Sequence, residues 1–332
     1  MKVLVSIWVH GVETDTQKSE YVAGDLIAQR YEVKKVLGKG GMGMVYLVTD
    51  RKTEQRLALK TIRPEYTTSS IALHRFGREV RTIRKLNHQG IVRIRDAFRY
   101  GKLVFYTMDY VEGRSVRQII DDRTRLGLGS TVRILALVAH ALEHAHKITI
   151  HRDLSPENLM VLADGSIRLL DFGLAKLMDM DPTFTRIGVT LGKHQYISPE
   201  QLISAAEVDR RTDIYALGVM FYEMLTGQLP KEGKTITDLV PTLPQSCDAF
   251  FEKATAQSPD ARFATAGQFG RAILGLYRDA RQQPKPSPAP EKLAVASAVP
   301  AAPKVSRVRR LWQCLAGLLC RYSPRKKTKT DR

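Results

Sequence analysis

The densest chemistry in this chain lies in His151-Arg152-Asp153-Leu154-Ser155-Pro156-Glu157-Asn158, with Asp171-Phe172-Gly173 beginning thirteen residues after Asn158. Asn158 and Asp171 can supply two hard oxygen ligands, the donors that suit a Mg²⁺ ion whose remaining shell is water and phosphate. Asp153 is then free to orient a hydroxyl nucleophile and accept its proton. Far upstream, Gly38, Gly40 and Gly43 with Val45 form a G-x-G-x-x-G-x-V run that lets backbone come close to phosphates. Dinucleotide folds use the same glycine device, and a glycine-rich hairpin is the plain structural reading. The residues after the glycines separate the first case, because MVYLVTD alternates as a strand where a dinucleotide site needs a helix. Strand, glycine loop and strand make a lid over a triphosphate. Lys60 shares a strand face with Ala58 and could reach under that lid, with Glu79 on the next helix as its anionic partner. The plain reading of Lys60 is a solvated strand lysine.

The elements that would position these groups are legible. YEVKKVL, MVYLVTD and RLALKTI read as strands, with a polar turn at DRKTEQ. Ser70 to His88 places Ile71, Phe76, Val80, Ile83 and Leu86 at helical spacing, and more strands follow from Ile91 to Tyr110. Val132, Leu135, Val138, Ala139 and Leu142 predict a helix over 131–147, and several more helices are expected between Gln201 and Arg281. A strand-rich first third before a helix-rich remainder predicts two lobes.

With the motifs in this order, the sequence resembles a eukaryotic-type (Hanks-type) protein Ser/Thr kinase over roughly residues 31–280, and GGMGMVYLV and YISPEQL look like its bacterial branch. Ser198-Pro199-Glu200 resembles the Ala-Pro-Glu element that closes the activation segment. Asp213-Ile214-Tyr215-Ala216-Leu217-Gly218 resembles the helix that anchors the catalytic loop, and Arg262 matches the late arginine that pairs with Glu200. The resemblance implies an α+β, two-lobed protein-kinase-like fold. Residues 1–30 would be an extension or a short extra strand, 31–109 the small lobe, 110–280 the large lobe, 281–306 a linker and 307–332 a basic tail. It implies ATP and Mg²⁺ as cofactors, with Mn²⁺ an alternative, and protein substrates phosphorylated on Ser or Thr. Met108 would stand behind the adenine, the backbones of Asp109 and Val111 would bond its edge, and Val45 and Ala58 would pack on its faces. The same positions suit plain core packing.

Two positions depart from the family. Ser155 stands where a lysine usually follows the catalytic Asp, and alignment of Gly192 to Glu200 puts Lys193 where threonine is usual. In the family these residues meet beside the catalytic Asp, so Lys193 is expected to supply the missing cation to the transferred phosphoryl group. Arg152 implies regulation by a phosphorylated activation segment, with Thr183, Thr185 and Thr190 as acceptors. The stretch between Gly227 and Ser246 is short for the family's substrate-docking helix. A nucleotide-binding pseudokinase scaffold is the competing reading, which Ser155 keeps open and Lys60, Asp153, Asn158 and Asp171 oppose. Relatives that work with a cognate phosphatase admit one as a partner.

Charge narrows the partners further. The 332 residues carry +18, but residues 281–332 hold 13 Lys+Arg against 2 Asp+Glu, a net of +11, which leaves +7 for residues 1–280. QQPKPSPAPEKLAVASAVPAAPK is a Pro/Ala/Ser-rich linker. In RVRRLWQCLAGLLCRYSPRKKTKTDR, Leu311, Leu315, Leu318 and Leu319 with Trp312 and Tyr322 form an apolar stripe flanked by arginines. Its ten-residue core is too short to span a bilayer, where about 20 residues are needed. It reads as a membrane-surface or protein-docking segment, with Cys314 and Cys320 open to acylation, or as a solubilising tail. The body lacks a nucleic-acid recognition motif, so specific nucleic-acid binding is not expected. Three cysteines make no disulfide framework, and Val3–Val9 lacks a signal-peptide cleavage site, so the expected location is cytoplasmic, with membrane association through the tail.

Overall fold

A computed structural model gives the fold. It describes residues 18, 20–40, 43–67, 70–172, 193–203 and 208–282. The chain divides into two units, Met1–Lys285 and Pro286–Arg332, and every described residue lies in the first.

Six strands form an antiparallel sheet: β1 (Leu26–Ile27), β2 (Tyr31–Gly40), β3 (Gly43–Asp50), β4 (Gln55–Ile62), β5 (Ile94–Tyr100) and β6 (Leu103–Asp109). Their order is β1-β2-β3-β4-β6-β5. Strand alternation sends the two residue sets to opposite faces. Tyr46, Val48, Leu57, Leu59 and Phe105 bury one face together with Tyr21 and Ile27. Thus the end of the N-terminal extension is built into the sheet, through β1 and the Tyr21 side chain. The other face, with Ala58, Ile62, Val104, Tyr106 and Met108, joins the main core.

Helix α1 (Ser70–Ile83) packs on that second face. It ends before Leu86, and its inward residues are Leu73, Phe76, Val80 and Ile83. Ile71, expected inside, is 64% exposed. Leu73 takes the inward place two residues on, because an apolar residue in the first turn lies off the buried stripe.

The remainder is helical around α5 (Arg211–Thr226). Nearly every residue of α5 is buried, including Asp213 and Glu223. A helix apolar on all sides belongs at the centre of a lobe. Around it stand α2 (Val116–Arg123), α3 (Leu128–Ala145), α4 (Pro199–Ile203), α6 (Ile236–Leu239), α7 (Ser246–Ala254) and α8 (Ala266–Gln282). The α2 start is set by a capping box, in which Ser115 Oγ accepts from Gln118 N at 3.1 Å and Ser115 N donates to Gln118 Oε1 at 2.9 Å. Between Gly227 and Ser246 the one described helix, α6, is four residues long. A second small sheet, β7 (Arg114–Ser115), β8 (Leu159–Val161) and β9 (Ile167–Leu169), carries the catalytic motifs at its end.

Candidate active site

The sheet register assembles the upper half of the site. Val45 lies opposite Lys60, and Lys60 opposite Tyr106; Leu47 lies opposite Ala58, and Ala58 opposite Met108. Directly paired residues share a face, so Val45, Ala58, Lys60, Tyr106 and Met108 line one surface. At Asp109 the N–H is spent on the Arg93 carbonyl at 3.1 Å, so its own carbonyl is the group this residue can offer to a ligand edge.

The three glycines are not equivalent. A Cβ at Gly43 would come within 1.8 Å of the Thr61 carbonyl oxygen, so close packing of β3 on β4 demands glycine there. A Cβ at Gly38 would meet nothing within 4 Å, and one at Gly40 only the Gly43 carbonyl oxygen at 3.9 Å. The fold itself does not call for glycine at those two positions.

The lower half hangs from Asp213. Its Oδ2 accepts from His151 N at 2.9 Å and pairs with His146 Nε2 at 2.8 Å, while Oδ1 accepts from Arg152 N at 2.8 Å. Burial works to raise the Asp213 pKa, but the His146 hydrogen bond and charge outweigh it and hold the carboxyl below its usual range. Arg152 takes φ +64°, held by these bonds and by Gln201 Nε2, which donates to its carbonyl at 3.1 Å. His151 Nδ1 accepts from Asp153 N at 3.3 Å and its Nε2 faces the Leu170 carbonyl at 2.8 Å. That pattern fits a neutral ring protonated on Nε2, and burial pushes its pKa down accordingly. The ring packs against Phe172 with centroids 4.6 Å apart and planes tilted by 41°.

Asn158 donates its amide nitrogen to the Asp153 carbonyl at 2.7 Å and to Asp153 Oδ2 at 3.3 Å, leaving Asn158 Oδ1 as the donor atom for a cation. Leu170 N donates to Asn158 O at 2.9 Å, which brings the ends of β8 and β9, and so Asn158 and Asp171, to the same edge. An amide oxygen and a carboxylate are a hard-oxygen pair that fits Mg²⁺ or Mn²⁺, with phosphate and water completing the shell. Among the described residues no group of three or more His, Cys, Asp or Glu gathers to hold a metal ion.

One expectation needs correction. Lys60 does not pair with Glu79: its Nζ bonds Asp171 Oδ2 at 2.7 Å. Glu79 instead accepts from Thr149 Oγ1 at 3.1 Å. Lys60 therefore pairs with Asp171, while Glu79 of α1 pairs with Thr149. Asp171 sits at φ +46°, and Tyr106 Oη donates to its Oδ1 at 2.8 Å. Burial would raise the Asp171 pKa, but the charge and hydrogen bond of Lys60, with Tyr106, keep it low. Burial and the Asp171 charge push the Tyr106 phenol well up, so it stays a donor. Ile83, Val92, Ile94, Tyr106, Met108, Asp171 and Phe172 enclose a cavity of about 10 Å³ here, room for one water at most.

At the far end, Arg262 donates to Glu200 Oε1 at 2.7 Å and Oε2 at 2.8 Å, the pair expected from sequence. Its guanidinium also reaches the carbonyls of Ala256, Gln257 and Arg211, so the buried charge is fully partnered. Sequence reasoning missed a second buried knot. Arg117 binds Glu223 Oε1 at 2.8 Å, Glu157 Oε1 at 2.9 Å and Tyr196 Oη at 2.8 Å, and Tyr196 bonds Glu223. It ties α2, the catalytic motif and α5 to the segment before α4. The sequence signal available was two charges, Arg117 and Glu223, on apolar helix faces. Lys193 opens a short 3₁₀ helix, Lys193–Tyr196, but its side chain lies outside the described residues, as do Thr183, Thr185 and Thr190.

These pieces match known proteins as a set. Residues 31–268 match the protein kinase domain family. Serine/threonine-protein kinase PrkC of Bacillus subtilis is 32% identical over 259 residues, covering 73% of this chain and 40% of PrkC. Serine/threonine-protein kinase PknA of Mycobacterium tuberculosis is 30% identical over 285 residues, covering 80% of this chain and 65% of PknA. The chain thus spans between two fifths and two thirds of the length of these curated relatives. The crystal structure of the Mycobacterium tuberculosis PknI kinase domain superposes with a TM-score of 0.65 at 28% identity, over 77% of this chain and 100% of that one. A lysine on the sheet, an aspartate carried on a loop pinned to a buried helix, and a late arginine locking the segment before that helix recur here in the family's order, and the chain belongs to the protein kinase family.

Proposed function

We propose that the chain is an active protein serine/threonine kinase that moves the γ-phosphoryl group of ATP to Ser or Thr hydroxyls, using Mg²⁺ or Mn²⁺. The observation that carries this reading is the Asp153–Asn158–Asp171 cluster joined to Lys60, with each side chain held by named partners. Gly38 and Gly40 support it, since their missing side chains leave space that the fold does not use and phosphates can enter. Asn158 and Asp171 would hold the cation, which bridges and neutralises the phosphates when bound. Lys60 is placed to orient phosphate oxygens once it leaves Asp171. Asp153 receives the acceptor hydroxyl. As the hydroxyl oxygen bonds to phosphorus, the bond from phosphorus to the ADP oxygen breaks and the hydroxyl proton passes to the carboxylate. The reading is tested by incubation with Mg²⁺ and γ-labelled ATP, alone and with a generic basic protein. Label is expected in both proteins, and mass spectrometry is expected to place part of it on Thr183, Thr185 or Thr190. Nucleotide binding without label transfer would instead favour the pseudokinase scaffold.

Lys193 is proposed to supply the cation that Ser155 cannot. Ser155 is buried and uncharged, so this position brings no cation to the site. Lys193→Met is expected to lower turnover by about 10²-fold, as removal of one stabiliser of developing charge does, with nucleotide affinity little changed. Unchanged turnover would sink the exchange.

The partners proposed are protein substrates, a cognate phosphatase, and an anionic membrane surface met by residues 307–332. No helix among the described residues is long and apolar enough to cross a membrane. Co-sedimentation with vesicles should be strong for anionic lipid and weak for neutral lipid, and should vanish on deletion of 307–332. Equal binding to both lipids would remove the electrostatic part.

A further inference from the structure

We infer that Tyr106 is a positioning residue for the metal-ligating carboxylate of Asp171, an inference that rests on the reading of Asp171 as a ligand. Three observations carry it. The Tyr106 hydroxyl donates to Asp171 Oδ1 at 2.8 Å while Lys60 holds Oδ2 at 2.7 Å, so each carboxylate oxygen has its own donor. Tyr106 lies within β6, paired with Lys60 on one side and Ala97 on the other, so the donor stands on the middle of the sheet and not on a loop. Its ring is 2% exposed and packs 6.2 Å from Phe76 of α1, which leaves the phenol no alternative position.

The two donors differ in what they can do next. Lys60 is long and flexible, with phosphate oxygens as other acceptors. Tyr106 is rigid, with a reach that ends at Asp171. When Lys60 moves to phosphate, Oδ2 becomes available to the cation while Oδ1 stays fixed. The phenol thus sets the plane of the carboxylate, and one oxygen is presented to the metal in a defined direction. A carboxylate held at one oxygen needs no reorientation to receive the ion, which is the advantage of a ligand oriented by its own hydrogen bond.

The test uses the full chain, with Mn²⁺ as a spectroscopic probe in the presence of a non-hydrolysable ATP analogue, so binding is read by electron paramagnetic resonance without turnover. Tyr106→Phe keeps the ring and removes the donor. It is expected to weaken Mn²⁺ binding by about tenfold, within the 10–100-fold range for loss of a partner that orients a metal ligand. Analogue affinity without metal should stay within twofold of wild type. The Mg²⁺ concentration for half-maximal phosphoryl transfer should rise in parallel. Unchanged or tighter Mn²⁺ binding in Tyr106→Phe overturns the inference, as does an equal loss of metal-free analogue affinity, which would mark a general packing defect. Asp171→Asn is the control: if it leaves Mn²⁺ binding intact, the ligand reading of Asp171 fails; if it abolishes binding while Tyr106→Phe does not weaken it, only the role of Tyr106 fails.

Discussion

Asp153→Asn is expected to cut phosphoryl transfer by about 10²–10⁴-fold, the range that a positioned general base supplies, while leaving ATP binding within twofold of wild type. The amide is isosteric with the carboxylate and can still accept from Asn158 Nδ2, which reaches Asp153 Oδ2 at 3.3 Å and the Asp153 carbonyl at 2.7 Å. The loop therefore keeps its shape, and the loss falls on the proton-accepting oxygen. Rates of label transfer set beside binding of a fluorescent ATP analogue separate the two effects. A variant that transfers label at half the wild-type rate or better would show that another group receives the hydroxyl proton.

Asp213→Ala is expected to lower stability by about 3–5 kcal/mol, the cost of removing one partner from a buried charged cluster. The truncation strands the N–H groups of His151 and Arg152 and the ring of His146 in an interior where Asp213 is 1% exposed. Activity should fall with it, because Arg152 holds φ +64° against its own preference and those bonds keep it there. Asp213→Asn, which keeps one acceptor oxygen, should lose less. Urea unfolding followed by fluorescence measures both. The effect depends on pH with a definite sign. The folded-state pKa of Asp213 lies below its ordinary value of 3.8, so the contribution is complete above that value and fades as pH falls through the lower one. Wild type and variant should differ most near neutrality and converge in acid. An alanine variant as stable as wild type at pH 7 would mean that water replaces the carboxylate at little cost.

The motif residues were legible as candidates because most of them fall in short contiguous runs or on neighbouring strands. Alternation in RLALKTI placed Ala58 and Lys60 on one face, and the register agrees, with Val45 opposite Lys60. Arg262 and Glu200 are 62 residues apart, yet their pairing followed from the family's motif order and stands at 2.7 Å. What sequence could not settle was the choice between two acceptors for one lysine. Glu79 and Asp171 both carry a carboxylate, and the fold gives Lys60 to Asp171 while Glu79 bonds Thr149, a tertiary matter with no local signature. Tyr106 was invisible for a related reason. In strand β6 a tyrosine reads as an ordinary β-former, and only the fold brings Asp171 to its hydroxyl from 65 residues away. Ile71 misled because helical spacing alone does not say which apolar residue of a first turn faces solvent.

The filled space behind Met108 bears on inhibitor chemistry. Were the adenine to lie against Met108, as the family resemblance implies, a flat heterocycle there would find behind Met108 only a gap of about 10 Å³ lined by Tyr106 and Phe172. In that case affinity is to be sought toward Tyr110 and Val111, and compounds that depend on a deep rear substituent should bind this chain poorly.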